Sequence, residues 1–245
     1  MTNHTNEGLR FGVVLTTPRL VALLGDDMIM KDNSLHIDAT YKLNWQGYPI
    51  LITAISDADH RTQGVALALL SHKDIGAFEF LLGTFQQAPQ RFGGPNYQSN
   101  SIMADGAGAI SSAVHNIFGN SCKRGMCWAH MFQNVDKQLP AVGNDLEQNK
   151  IKDALRVLQL APTPVEFQHA SQLFYEWLGE NPAMHEFRQY FWAQWMGALS
   201  GWYEGYSGHR PSMNNGLEAI NRTIKDSHIL RDRLPLGEAI GIVKA

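Results

Sequence analysis

The chain has 245 residues, 44% hydrophobic and 18% charged, a globular composition long enough for one large domain or two small ones. A net charge of −3 and a pI near 6.3 weigh against a free-standing nucleic-acid binder, while leaving room for a local basic groove. Cys122 and Cys127 are the two cysteines; they are a poor basis for a disulfide framework and point to a reducing compartment.

From the N-terminus, the apolar stretch Phe11–Leu15 is broken by Thr16-Thr-Pro-Arg19 before a signal-peptide core can form. No run approaches the roughly 20 apolar residues of a membrane span, so an intracellular, soluble protein with no membrane partner is expected. A first helix starts at Thr17-Pro18, with Thr as cap and Pro at the first helical position. Residues 34–42 alternate as a strand, with His36, Asp38 and Thr40 on one face and Ile37, Ala39 and Tyr41 on the other. Two apolar runs, 49–55 and 65–70, complete an antiparallel meander across the polar turn 56–64.

A helix over 75–87 carries the stripe Phe78, Leu81, Leu82, Phe85. A short strand, 101–105, leads into a helix striped by Ile110, Ala113, Val114 and Ile117. Residues 122–130 read as another strand, followed by a helix to about 139. The order β-β-β-α-β-α-β-α predicts a mixed five-stranded sheet with helices on both faces. After residue 145 the pattern is helical, with a capping box at Thr163-Pro-Val-Glu166 and a similar start at Asn181-Pro182. The last clear helix spans about 213–226, with Leu217, Ile220 and Ile224 on its apolar side and Asn214, Glu218, Asn221, Arg222 and Lys225 beside it.

Three carboxylates stand out. Asp38 in mid-strand is expensive to bury unless it is paired or holds a metal; a solvated strand face is the competing reading. Asp105 ends a strand and precedes Gly106, where ligands of α/β sheets often sit, although a turn aspartate before a helix is also common. Glu218 alone reads as an exposed helical residue. Together, two aspartates on adjacent strands and an acid from a helix form a hard-oxygen set for Mg²⁺ or Mn²⁺, the ions that drive in-line phosphoryl displacement in two-metal sites. Their separations of 67 and 113 residues carry little weight alone.

Four segments in order give a resemblance: His36-Ile-Asp-Ala-Thr-Tyr41, Ile102-Met-Ala-Asp-Gly106, Cys127-Trp-Ala-His130 with Gln133-Asn134, and Asn214 through Lys225. Their combination resembles the Mutator-like element (MULE) transposase domain over roughly residues 20–230. The resemblance implies a ribonuclease-H-like α/β fold with an all-helical insertion before the last catalytic helix. Residues 1–30 would be an N-terminal extension and helix, 31–145 the core, 146–210 the insertion, and 211–245 the segment completing the core. It implies a DDE transposase, a polynucleotidyl transferase with a metal triad of Asp38, Asp105 and Glu218 holding two Mg²⁺ or Mn²⁺ ions. DNA, as transposon ends and target, would be the partner; the insertion helices are candidates for end recognition or homodimer contacts, and the nucleus is the expected location. Arg210, Asn214, Asn221, Arg222 and Lys225 are candidate DNA contacts.

This chain has Ala39 where the family often has Gly. Fewer than 40 residues precede Asp38, with no zinc-ligand cluster, and 27 follow Glu218, which implies an excised fragment or an autonomous remnant. A domesticated, transposase-derived regulator without catalytic activity is the alternative. The Cys127–His130 pair has no second paired ligand set nearby, and Cys122 and His115 fit no zinc pattern, so zinc is not expected. No oriented base supports a cysteine nucleophile. The pair is read as a brace near the metal centre. Asp57-Ala-Asp-His60 is read as a hairpin turn, His36 as a satisfied histidine, and Trp128, Trp192, Trp195 and Trp202 as core residues ahead of base-stacking platforms.

Overall fold

A computed structural model describes residues 10–25, 33–41, 43–57, 59–197, 199–208, 210–228, 234–235 and 237–238. The strands are β1 (Gly12–Leu15), β2 (Ser34–Thr40), β3 (Ile50–Ser56), β4 (Thr62–Leu70), β5 (Ser101–Ala104) and β6 (Lys123–Met126). They form one mixed sheet in the order β1-β4-β3-β2-β5-β6. The expected meander is present: β2, β3 and β4 pair antiparallel, while β5 joins β2 and β6 joins β5 in parallel. Every residue of β3 is buried, as a near-continuous apolar run in mid-sheet requires.

Among the described residues the sheet has six strands, one more than the sequence predicts. The extra one is β1, which pairs antiparallel with the edge of β4 from Gly12↔Leu70 to Leu15↔Leu67. Four residues are too few for an alternation to show, and the pairing is made by a distant segment. Gly12 matters here, because a Cβ at that position would lie 2.7 Å from the Phe80 ring.

The helices are α1 (Pro18–Ala22), α2 (Ile75–Gln87), α3 (Gly108–Phe118), α4 (Trp128–Asp136), α5 (Asp145–Gln159), α6 (Pro164–Gly179), α7 (His185–Trp195), α8 (Glu204–Ser207) and α9 (Asn215–Thr223). The caps read from the sequence form: the Thr17 and Thr163 hydroxyls accept from the Leu20 and Glu166 amides. The Thr163 hydroxyl also donates to the Glu166 carboxylate, at 2.7 Å. Asp74 caps α2 by accepting from the Ala77 amide.

One sheet face packs on α2 and α3. Leu35, Ile37, Leu51 and Ile55 meet Phe78, Leu81, Leu82, Phe85, Ile110 and Val114 there. Each such side chain contributes about 1.5–3 kcal/mol when fully buried. The opposite face, through Ile52 and Ala54, receives Leu217 of α9. A second core links α4 to α7: Met126 and Met131 pack with Leu155, Phe167, Phe174, Phe191, Trp195 and Trp202.

The predicted strand over 122–130 is shorter than expected. β6 stops at Met126, and Cys127 becomes the N-cap residue of α4. The apolar and aromatic run continues across that junction, so hydrophobicity alone does not mark the boundary. The last helix is also shorter, ending at Thr223 and passing into a π-type turn over Ile224–His228.

Candidate active site

β2 and β5 run parallel, with Leu35↔Ile102 and His36↔Met103 in register. Asp38 lies two residues further along β2, and Asp105 directly follows Ala104, the last residue of β5. Asp38 is 9% exposed and Asp105 half-buried, immediately past the carboxyl end of β5. The Asp105 carboxylate accepts the Ala107 amide at 3.0 Å, which fixes the turn into α3. Its backbone is held from below: the Arg124 guanidinium of β6 donates to the carbonyls of Asp105 and Gly125, and to that of Ala104 at 3.4 Å. Burial pulls the Arg124 pKa down to about 10, still well above neutrality, and the Asp105 carboxylate opposes that fall. Sequence reasoning passed over Arg124. Its only sign was a charged residue inside a short strand that has to be buried.

Glu218 enters on α9, whose position over the sheet is set by a buried polar chain. His36 Nδ1 lies 2.9 Å from Asn214 Oδ1, and His36 Nε2 lies 2.7 Å from the Ser56 hydroxyl. Asn214 also donates its side-chain N–H to the Ile37 carbonyl at 3.3 Å. That last bond makes Asn214 Oδ1 the acceptor, so His36 carries its proton on Nδ1 and accepts from Ser56 on Nε2. Burial lowers the His36 pKa, against the Asn214 bond, consistent with a neutral ring. All three side chains are at most 2% exposed. Close approach of α9 needs Gly216, because a Cβ there would collide with the Thr62 side chain of β4.

Asp38 feels the other two carboxylates. Burial raises the Asp38 pKa; His130 and the Ala39 amide oppose this, and the charges of Asp105 and Glu218 add to it. Asp38 is thus within electrostatic reach of both Asp105 and Glu218. Opposite them, His130 Nε2 stands 3.7 Å from Asp38 Oδ1. The His130 pKa is pushed up to about 9 by the neighbouring Cys127 side chain, against burial, and then by the charges of Asp38 and Asp105. Cys127 is fully buried, and its amide bonds the Ala104 carbonyl at 3.0 Å. Cys127 thus ties the end of β6 to the end of β5 and sets His130 one helical turn on, facing Asp38.

Residues 34–134 match the family model of the MULE transposase domain. That segment is a MULE transposase domain. The match supports a transposase-related function in general. It contains Asp38, Asp105, Cys127 and His130, while Glu218 lies beyond it. The chain matches no curated protein.

An open cleft of about 460 Å³, lined partly by this MULE segment, runs between α4 and α7 and includes Asp105 and His130. Among the described residues, no three His, Cys, Asp or Glu side chains form a ready-made metal cage. Mg²⁺ commonly binds through one or two carboxylates and completes its shell with water and substrate phosphates.

The candidate DNA contacts divide. Asn214 is a correction: it is 1% exposed and its amide is committed to His36 and Ile37, so it cannot reach a phosphate. Arg222 is exposed, while Asn221, Lys225 and Arg210 are half-buried. Trp195 and Trp202 are core residues, 2% and 0% exposed, and Trp128 stacks on Trp202 with ring centroids 5.8 Å apart. Trp192 is more exposed, at 38%, and lies against Tyr175. Asp57 closes the hairpin turn by accepting the Arg61 amide at 2.9 Å.

Proposed function

We propose that the chain is a DDE transposase catalytic domain of ribonuclease-H-like fold, cutting DNA at element ends and joining the 3′-hydroxyl to target DNA. The observation that carries this reading is the parallel pairing of β2 with β5, which carries the buried Asp38 carboxylate on one strand and Asp105 just past the end of the other. A protein does not gather like charges at a strand end without a cation or a proton to offset them. The donor chemistry is carboxylate oxygen throughout, which suits Mg²⁺ or Mn²⁺.

Asp38 and Asp105 would share the ions and Glu218 would complete the second position. Bound there, the metal would supply activation of a water or hydroxyl and charge stabilisation at the leaving oxygen. The protein's own part is positional. Arg124 holds the Asp105 backbone, and the Ser56–His36–Asn214 chain holds α9 on β2. Arg222, Lys225 and Arg210 are proposed to meet the DNA backbone, and we place the site of action in the nucleus.

A non-catalytic, DNA-associated descendant of a transposase is the second reading, favoured by one observation. The His130 imidazole beside Asp38, with a pKa near 9, already supplies positive charge to the acidic group.

Mn²⁺ binding followed by electron paramagnetic resonance separates the two. The catalytic reading expects saturable binding that Asp38→Asn and Asp105→Asn each weaken at least tenfold, with folded spectra retained. Equal Mn²⁺ binding by the wild type and both variants would overturn it.

A further inference from the structure

The cleft next to Asp105 has an unusual lining for a protein that handles DNA. Its walls carry four carboxamides: Gln133 and Asn134 from α4, Gln138 just after it, and Gln194 from α7. Lys137 is the one lysine or arginine in the lining. A groove built to track a duplex backbone is lined by Lys and Arg. Carboxamides instead offer a donor and an acceptor side by side, the pattern that matches the edge of a base.

These groups are available. Gln133, Gln138 and Gln194 make no side-chain hydrogen bond to the other described residues, and Asn134 accepts only from Lys137, at 3.2 Å. Tyr190 on α7 accepts the Trp195 indole N–H at 3.0 Å, so its own hydroxyl hydrogen is free to donate elsewhere. At about 460 Å³ the cleft is on the scale of a site for one small ligand, not a duplex. One end opens on Asp105 and His130, the other on the helical stretch that contributes α7.

We infer that this cleft is a subsite for one unpaired DNA nucleotide flanking the phosphate under attack, read by Gln133, Gln138 and Gln194 along its base edge. This inference rests on the transposase reading. The helical stretch then has a concrete role, because α7 supplies the far wall of a pocket whose near wall is the catalytic strand end. An unpaired base there leaves the neighbouring phosphate free to lie over Asp105.

The test uses the full chain, without divalent metal so that no cleavage occurs. Fluorescence anisotropy would measure binding of a labelled duplex carrying a three-nucleotide single-stranded tail and of the same duplex blunt-ended. Gln133→Ala/Gln194→Ala removes two exposed helical amides, and alanine there favours the helix. Gln194→Glu adds a charge that repels the strand.

The expected result is tighter binding of the tailed duplex by the wild type, with that preference reduced at least fivefold in both variants and blunt-end binding changed less than twofold. Wild-type binding without preference for the tail, or a preference that survives in both variants, overturns the subsite and leaves the transposase reading standing. Failure of the wild type to bind either DNA overturns both.

Discussion

Asn214→Ala is the most informative substitution in the frame of the site. It deletes the acceptor of the His36 Nδ1–H and the donor to the Ile37 carbonyl, bonds of 2.9 and 3.3 Å. Both orphaned groups belong to residues at most 2% exposed, so water does not replace the lost partner. Leaving a buried polar group unpaired costs about 1–3 kcal/mol, so two such groups give a loss of about 2–6 kcal/mol. In urea, with a slope of about 2 kcal/mol/M, the midpoint falls by about 1–3 M. Thermal unfolding should drop by roughly 4–24 °C for a chain of this size. A double-mutant cycle with His36→Leu should show coupling of about 1–3 kcal/mol, because the two residues share one bond. An unchanged urea midpoint, or strictly additive single effects, would refute the view that this pair clamps α9 onto β2.

The remaining predictions concern the same neighbourhood. Asp38→Asn removes a carboxylate that burial already disfavours in its charged form, so without metal its unfolding temperature should equal or exceed that of the wild type. Any metal-dependent cleavage should fall by about 100-fold or more, the scale on which loss of one charge-stabilising group slows a reaction. Gly216→Ala should destabilise by about 1–3 kcal/mol through overpacking against Thr62, measured by urea unfolding; a neutral result would mean α9 is not seated as described. Burial pushes the Cys122 thiol up to about 11, so its thiolate is about one part in a thousand at pH 8. Alkylation at Cys122, followed by peptide mass spectrometry, should be slow there and rise about tenfold per pH unit towards pH 10. Fast labelling at pH 8 that does not change with pH would contradict its burial.

Much of the core was legible because its signals are local. The helix over 75–87 and the capped starts at Thr17 and Thr163 follow from stripes and cap residues alone. Asp38 and Asp105 could be singled out because a charge in or at the end of an apolar strand is costly. The burial of Asn214 could not be read, since on the helix it looks like part of a polar face. Its partner His36 is 178 residues away, and only the fold brings the two together. β1 was missed for the same reason, as its pairing with β4 spans the whole meander. Within the C-x-x-H pair, the Cys127 backbone amide joins two strand ends and His130 faces Asp38, a placement that only the fold discloses. The carboxamide cleft escaped notice because Gln133 and Gln194 come from separate helices and meet only in space.

The central claim is that the acidic group at the ends of β2 and β5 cuts DNA with a divalent metal. The direct measurement is Mn²⁺-dependent nicking of supercoiled DNA by the wild type beside Asp105→Asn, with both proteins shown to be folded. Nicking by the wild type that is lost in Asp105→Asn is the result predicted; equal nicking by both, or none by either, would contradict it.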